Sequence, residues 1–102
     1  MGMNEADLAF LGLARRAGKL ALGEENSRRA VRSGKAEMIL LASDAAPNAL
    51  ARGEELARRA GIPLIKLEDN KNRLAEALGS PLFAIAAVCD AGFAEALQKR
   101  LG

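Results

Sequence analysis

Five consecutive apolar residues, Met38-Ile-Leu-Leu-Ala42, decide the fold of this chain. A run this short and continuous is typical of a β-strand covered on both faces, because a strand with one exposed face would alternate apolar and polar residues. A second run of the same kind spans residues 82–89. Stretches rich in Ala, Leu, Arg and Glu, which favour helix, surround both runs. The sequence therefore predicts a sheet buried between layers of helices.

Turn and capping residues divide the rest of the chain into further helices and strands. The first half of the chain is predicted to contain a helix capped by Asn4 and ended by Gly18, a short strand over residues 19–23, a helix over 24–33 and the strand at 38–42. A helix opened by Asp44 and Pro47 then continues to residue 60, and a strand follows over 64–67. The chain ends with a helix capped by Asp69 or Asn70 and ended by Gly79, the strand at 82–89, and a last helix from Asp90 to residue 100. This alternation with short connections predicts an α/β fold, a three-layer α/β/α sandwich. A chain of 102 residues suits a single domain over 1–102.

Composition excludes several classes of protein. The chain has no His, and Cys89 is its one Cys, so internal disulfides, zinc sites built from Cys and His, and histidine-based catalysis are excluded. The apolar run at 82–89 is far shorter than the ~20 residues that a membrane-spanning helix needs. The acidic N-terminus has no signal-peptide pattern, and the glycine signatures of nucleotide-binding loops are absent. We expect a cytoplasmic protein with no cofactor, no metal, no membrane contact and no enzymatic activity.

Positive charge is concentrated in residues 11–35. Seven cationic side chains against two glutamates give this segment a charge of +5, whereas the whole chain has only +2 and the remaining residues have −3. The seven cations are Arg15, Arg16, Lys19, Arg28, Arg29, Arg32 and Lys35. A cation cluster around a turn bounded by glycines indicates an anionic partner, and nucleic acid is the commonest one.

The second predicted helix presents most of these cations on one face. At 100° per residue, Arg28, Arg29 and Arg32 share a face with Glu25, opposite Ala30 and Val31. The helix begins after Gly23, so its unpaired N–H groups point toward the incoming loop. Guanidinium groups suit phosphates, and a carboxylate or amide suits a base edge.

A solvated surface explains the same pattern equally well. In that interpretation, ion pairs between Glu24 and Arg28 and between Glu25 and Arg29 stabilise the helix at i, i+4 spacing. The charge pattern alone does not decide between an RNA-binding face and a solvated one.

Other candidate sites have simpler explanations. Leu82 or Phe83 would stack under an unpaired base if their loop lies beside the basic helix, but Phe83 also fits the start of a core strand. Asp44, Asp69 and Asp90 each follow a strand, where they are better explained as N-caps than as metal ligands or catalytic acids. Cys89 ends an apolar run and is interpreted as a buried structural thiol.

Five stretches together form a recognisable combination over nearly the whole chain: Leu11-Gly-Leu-Ala-Arg-Arg-Ala-Gly-Lys19, Gly23-Glu-Glu25, Ala30-Val-Arg-Ser-Gly-Lys-Ala36, Met38-Ile-Leu-Leu-Ala-Ser-Asp44, and Gly61-Ile-Pro63 with residues 74–79 after it. Their order resembles the L-seven-Ae family of ribosomal proteins, whose members bind kink-turn RNA. It is most similar to the small bacterial branch of that family, the YlxQ-like proteins. The resemblance implies an α/β/α sandwich with a four-stranded mixed sheet and binding to sheared G·A pairs beside a sharp bend in RNA.

The resemblance also implies where the RNA binds. In the family, a Gly-x-Asn-Glu-x-x-Lys pattern at the start of the second helix reads the G·A pairs, and Gly23-Glu-Glu-Asn-Ser-Arg-Arg29 occupies that place here. Gly23 and Arg29 fit the first and last positions, whereas Glu25-Asn26 replaces the family's Asn-Glu pair. The family's loop before the last strand supplies apolar contacts to a flipped base, and residues 80–83 occupy it in this chain.

The leading hypothesis is a non-catalytic module that binds ribosomal or other structured RNA. We expect it to act as a monomer, with the ribosome or translation factors as further partners. The predicted RNA-binding residues are Lys19, Gly23, Glu24, Glu25, Asn26, Arg28, Arg29, Arg32, Lys35, Leu82 and Phe83. Two alternatives stay open: a protein-interaction module on the same fold that binds an acidic partner, and a small α/β enzyme that binds a nucleotide or other small molecule.

Overall fold

Helices and strands alternate along the chain in the predicted order. The computed structural model describes residues 3–101. Its elements are α1 (Glu5–Arg16), β1 (Leu20–Leu22), α2 (Glu24–Arg32), β2 (Met38–Leu41), α3 (Pro47–Ala60), β3 (Leu64–Lys66), α4 (Lys71–Leu78), β4 (Ile85–Val88) and α5 (Ala91–Leu101). Each predicted helix and strand is therefore present, with most bounds within two residues of the expected ones.

The four strands form one mixed sheet in the order β1-β4-β2-β3. β4 lies between β1 and β2 and is antiparallel to both, while β3 is parallel to β2 at the edge. Val88 lies opposite Leu20 on one side and opposite Met38 on the other. This confirms the four-stranded mixed sheet that the family resemblance implies.

The two faces of the sheet are covered by different helices. In β2, Met38 and Leu40 pack toward α1, α4 and α5, whereas Ile39 and Leu41 pack toward α2 and α3. All four side chains are at most 2% exposed. The run is apolar without alternation because helices remove water from both faces, which confirms the three-layer sandwich.

Asp44 does not cap α3, as the sequence predicted. Its Oδ1 accepts a hydrogen bond of 2.9 Å from the backbone N–H of Lys71, at the start of α4. The reason is that the chain after β2 runs beside the chain after β3, where the N–H of Ser43 donates to the carbonyl of Asp69. α3 begins after Ala46 with no side-chain cap, although Pro47 is in its first turn as expected.

The other helix caps follow the sequence more closely. Asn4 accepts from the N–H of Asp7, and Asp90 accepts from the N–H of Phe93. Asn70, rather than Asp69, caps α4. Asp69 is buried, and its carboxylate instead accepts from the backbone N–H of Met3 at 2.7 Å and from Nε of Arg73 at 3.1 Å.

The last strand begins later than predicted. The expected strand started at residue 82, whereas β4 starts at Ile85. Pro81 has no N–H to donate to a neighbouring strand, and Leu82 is exposed to solvent. Residues 80–84 therefore form a loop between α4 and β4, which we call the 80–84 loop.

Candidate nucleic-acid interface

Gly23 fixes the turn into α2. Its φ of +92° and ψ of 162° place it in a backbone region that is essentially restricted to glycine. Its N–H donates to the carbonyl of Ile85 at 2.7 Å, which brings the start of α2 beside the start of β4 and the 80–84 loop. No side chain caps α2, so the N–H groups of its first turn are available to an anion.

The buried side of α2 determines which side chains face solvent. Ser27 is fully buried, and its hydroxyl donates to the carbonyl of Ala21 at 3.4 Å. Ala30, one turn further along, packs against the sheet in the same layer as α3. This anchoring leaves Arg28, Arg29 and Arg32 exposed on the outer side of the helix. Sequence reasoning did not identify Ser27, although its i, i+3 spacing to Ala30 was a usable signal.

The polar residues at the start of α2 have partners other than the predicted i, i+4 pairs. Glu24 accepts a hydrogen bond of 2.6 Å from Nη1 of Arg52 on α3, and Glu25 pairs with Arg28 at i, i+3 spacing. Glu24 is consequently only 31% exposed, whereas 65% of the Glu25 side chain is exposed. Arg52 lies 28 residues from Glu24 in the chain, and no local sequence pattern predicts the contact.

Asn26 is engaged within the protein. Its Nδ2 donates to the carbonyl of Leu22 at 2.9 Å, and its Oδ1 accepts from Nη1 of Arg29 at 3.5 Å. The amide therefore joins the end of β1 to α2 and orients Arg29. Of the two residues that replace the family's Asn-Glu pair, Glu25 projects into solvent and Asn26 supports the backbone.

Several predicted cations have no acidic partner. Four of the predicted RNA-binding side chains have no carboxylate of residues 3–101 within 4.0 Å of their charged nitrogens: Lys19, Arg29, Arg32 and Lys35. Unpaired cations keep their full capacity to neutralise phosphates. Among the described residues, α2 and the segments that flank it therefore carry these four positive charges without a carboxylate partner.

A groove runs along the open edge of β1 beside α2. Its volume is about 360 Å³, and its lining includes Leu20, Asn26, Arg29, Lys35 and Cys89. Burial raises the pKa of the Cys89 thiol above its ordinary value, and the charge of Lys35 opposes part of that shift. The thiol is therefore protonated near neutral pH, which suits a structural cysteine rather than a nucleophile.

The 80–84 loop brings only one of its two predicted contacts to the surface. Leu82 is 63% exposed, whereas Phe83 is 7% exposed and packs in the core between the sheet and α1, α4 and α5. The hydrogen bond between Gly23 and Ile85 places this loop beside the first turn of α2. Of the two predicted contacts, Leu82 is thus the one that can touch a partner, and Phe83 anchors the loop.

In the described part of the chain, no three Cys, Asp or Glu side chains converge as metal ligands do. The carboxylates of Asp44, Asp69 and Asp90 all accept hydrogen bonds from backbone N–H groups. None of the helices within residues 3–101 has the length and apolar character needed to cross a membrane.

Comparison with known proteins identifies the family. The model of the ribosomal protein L7Ae/L30e/S12e/Gadd45 family matches residues 8–98. The chain belongs to this family. The resemblance inferred from the sequence motifs is therefore confirmed, and the Gly23 turn with the start of α2 lies within the matched region of the L7Ae-type domain.

Relatives of similar length share this L7Ae-type sequence. The chain is 32% identical over 92 residues to a protein of Bacillus subtilis named RNA-binding protein YlxQ, covering 90% of this chain and 91% of the relative. It is 29% identical to the RNA-binding protein YlxQ of Enterococcus faecium, covering 96% and 93%. Both relatives match nearly end to end.

Solved structures share the fold. A Bacillus halodurans protein of unknown function superimposes with a TM-score of 0.87 at 31% identity, covering 96% of this chain and 98% of the other. The 15.5 kD RNA-binding protein of Giardia lamblia superimposes with a TM-score of 0.75 at 19% identity, covering 93% and 81%. The second match shows the shared fold alone.

Proposed function

We propose that this L7Ae-family chain is a non-catalytic protein that binds structured RNA of the kink-turn type. One observation carries the proposal: the uncapped first turn of α2, fixed by Gly23, opens a helix on which Arg29 and Arg32 have no carboxylate partner, and the hydrogen bond from Gly23 to Ile85 brings the loop with the exposed Leu82 toward that turn. The names of the two YlxQ relatives, which describe them as RNA-binding proteins, support the same conclusion.

The phosphate contacts come from the outer side of α2 and the segments around it. Arg29, Arg32 and Lys35 neutralise phosphates, and each neutralised phosphate releases counterions from the RNA. When Glu25 binds a base, it releases its solvent-exposed ion pair with Arg28, and Arg28 can then also neutralise a phosphate. Breaking this pair costs little, because such pairs contribute only ~0–1 kcal/mol. Lys19 extends the positive surface along β1.

The base contacts come from Glu25 and the 80–84 loop. The exposed carboxylate of Glu25 accepts hydrogen bonds from base N–H groups at a G·A step. Leu82 packs against a base splayed out of the stack, and Phe83 holds the loop in place from the core. Asn26 orients Arg29, and Glu24 ties α2 to α3 through Arg52.

The setting follows from the class of ligand. The RNA is ribosomal RNA or another structured RNA of the translation apparatus. The protein binds it in the cytoplasm as a monomer. Ribosomes and translation factors are therefore the assemblies in which we expect to find the chain.

A salt titration against three RNAs tests the proposal. The RNAs are a kink-turn, a plain duplex of equal length and a single strand, and binding is followed by fluorescence anisotropy. We expect the kink-turn to bind most tightly. Equal affinities for the kink-turn and the duplex would contradict kink-turn recognition. A partner captured from a lysate that persists after nuclease treatment would favour the protein-interaction alternative.

Two variants assign the roles within the site. Arg29→Ala weakens binding and lowers the slope of log affinity against log salt by ~0.9, the contribution of one phosphate contact in a duplex. Glu25→Ala mainly reduces the ratio of kink-turn to duplex affinity, because the carboxylate reads bases rather than phosphates. If both variants change only the salt slope, the base-reading role of Glu25 is wrong.

A further inference from the structure

A second cationic groove lies between α2 and α3, on the opposite side of α2 from β1. Its floor is apolar and its walls are guanidinium groups. The residues that line it are Arg28, Val31, Arg32, Leu56, Arg59 and Ala60. Three arginines and no carboxylate line this part of the groove, although Arg28 pairs with Glu25 and Arg59 pairs with Glu55 from outside the lining.

The arginines of the groove are free to engage a ligand. Arg32 has no carboxylate within 4.0 Å among the described residues. Arg59 has a long ion pair of 3.8 Å with Glu55, and its side chain is 73% exposed. Exposed pairs of this kind are weak and easily exchanged for a better partner.

The groove continues the α2 interface of the proposed function. Arg28 and Arg32 belong to both surfaces, and α3 packs directly against α2. Toward the start of α2, a neighbouring hollow is lined by Arg28, Leu56, Glu55 and the paired Arg52 and Glu24. A strand of RNA that runs along α2 therefore meets the cationic groove of Arg28, Arg32 and Arg59 after it has passed the carboxylates of Glu24 and Glu55.

The lining favours a phosphate backbone over an acidic protein. Protein partners are held by large apolar anchors at the centre of an interface. Here the floor residue Leu56 is 7% exposed, and the exposed large apolar residues of the described chain, Leu13 and Leu82, lie elsewhere. Guanidinium groups, in contrast, match phosphate oxygens in a two-pronged geometry.

We propose that the groove between α2 and α3 binds the phosphodiester backbone of the stem that flanks the kink-turn, with Arg59 as its distinguishing contact. This inference rests on the proposed function for the identity of the RNA. It goes beyond that function by adding a second helix, α3, to the interface and by extending the bound RNA past the bend.

The test compares Arg59→Gln with Lys99→Gln. Lys99 on α5 is a matched control, because it also pairs at i, i+4 with a glutamate, Glu95, at 3.5 Å and is 77% exposed. α5 covers the other face of the sheet. Each variant is titrated with salt against two kink-turn RNAs, one with a long flanking stem and one with that stem shortened to a few base pairs, and against a plain duplex.

We expect Arg59→Gln to bind the long-stem RNA several-fold more weakly and to lower its salt slope by ~0.9. Its affinity for the short-stem RNA is expected to equal that of the unchanged chain. The ratio of its short-stem kink-turn affinity to its duplex affinity, at a fixed salt concentration, is also expected to stay the same. Lys99→Gln behaves as the unchanged chain with each RNA. Thermal unfolding of both variants checks the fold.

Other outcomes separate the two proposals. If Arg59→Gln matches Lys99→Gln on the long-stem RNA, the groove inference is overturned even though kink-turn recognition stands. A lower melting temperature with an unchanged salt slope also overturns it, because Arg59 then only stabilises the end of α3.

If the unchanged chain binds duplex and kink-turn equally, the proposed function fails, and the kink-turn stem named here fails with it. Stronger dependence on Arg59 for poly-glutamate than for RNA overturns the inference in favour of an acidic protein partner.

Discussion

Leu82 and Phe83 are neighbours in the chain, but Leu82 is exposed to solvent and Phe83 is buried. Substitutions at the two positions therefore test RNA binding and stability separately within one loop. Phe83 is in the core, so Phe83→Ala is expected to lower the free energy of unfolding by ~3–5 kcal/mol. Leu82→Ala is expected to change it by less than ~0.5 kcal/mol, because the side chain is mostly in water. We expect kink-turn affinity to fall for Leu82→Ala, because the proposed apolar contact with a splayed base is then lost.

Urea unfolding and anisotropy measured on the same samples check both expectations. The unchanged chain at equal concentration is the reference. If Leu82→Ala lowers stability as much as Phe83→Ala, the 80–84 loop is structural at both positions. If Leu82→Ala binds RNA normally, the loop is not part of the interface.

The pairing of individual charges was the least predictable feature at this scale. The sequence correctly placed the three arginines of α2 on one exposed face, since helix periodicity alone determines that arrangement. It did not predict that Glu24 binds Arg52 or that Asn26 binds the carbonyl of Leu22. Those contacts depend on how α3 and β1 lie against α2, which local spacing does not encode.

At the scale of elements, the packing of α3 on β2 depends on a glycine. A Cβ at Gly53 would lie 2.7 Å from Cδ2 and 3.3 Å from Cγ of the fully buried Leu41. Gly53→Ala gains ~1 kcal/mol of helix propensity but incurs ~1–3 kcal/mol of overpacking. We expect a net loss of ~1 kcal/mol in the free energy of unfolding.

Gly12→Ala on α1 is the matched control for this prediction. A Cβ there would meet only Nη1 of Arg16 at 3.8 Å, an ordinary contact, so this variant is expected to gain ~0.5–1 kcal/mol. Combining Gly53→Ala with Leu41→Val is expected to remove most of the overpacking, and a double-mutant cycle by urea unfolding measures the coupling. Additive effects in that cycle would show that Leu41 is not the obstacle.

Element order and layering were largely predictable, whereas caps and strand ends were not. The continuous apolar run of β2 required two covered faces, and the short turns required alternating elements. Asp44 followed a strand and preceded Pro47, which is the usual pattern of a cap, yet its carboxylate accepts from the N–H of Lys71 in α4, whose N-cap is Asn70. The sheet places α4 beside the end of β2, and that proximity is a product of tertiary structure.

At the scale of the whole molecule, the sheet separates two functional sides. α2 and α3 cover one face with the cationic grooves, while α1, α4 and α5 cover the other. The charge of +5 within residues 11–35 against −3 in the remainder makes the protein electrically asymmetric along its sequence. Although Arg15 and Arg16 of this segment lie on α1, its other cations lie on or next to β1 and α2, where we expect an anionic ligand to bind.

This two-sided arrangement predicts where RNA changes the protein's amide signals. On titration of ¹⁵N-labelled protein with the long-stem kink-turn RNA, shifts are expected in residues 23–35, in the 80–84 loop and in the last two turns of α3. The chemical shifts of the amide signals of α5 (Ala91–Leu101) are expected to stay unchanged, because the sheet separates this helix from the RNA. The Arg59→Gln variant should lose the shifts in α3 and keep those in α2, since the two surfaces contact different parts of the RNA. Shifts centred on α5, or spread evenly over both layers, would place the ligand elsewhere and contradict the two-groove arrangement.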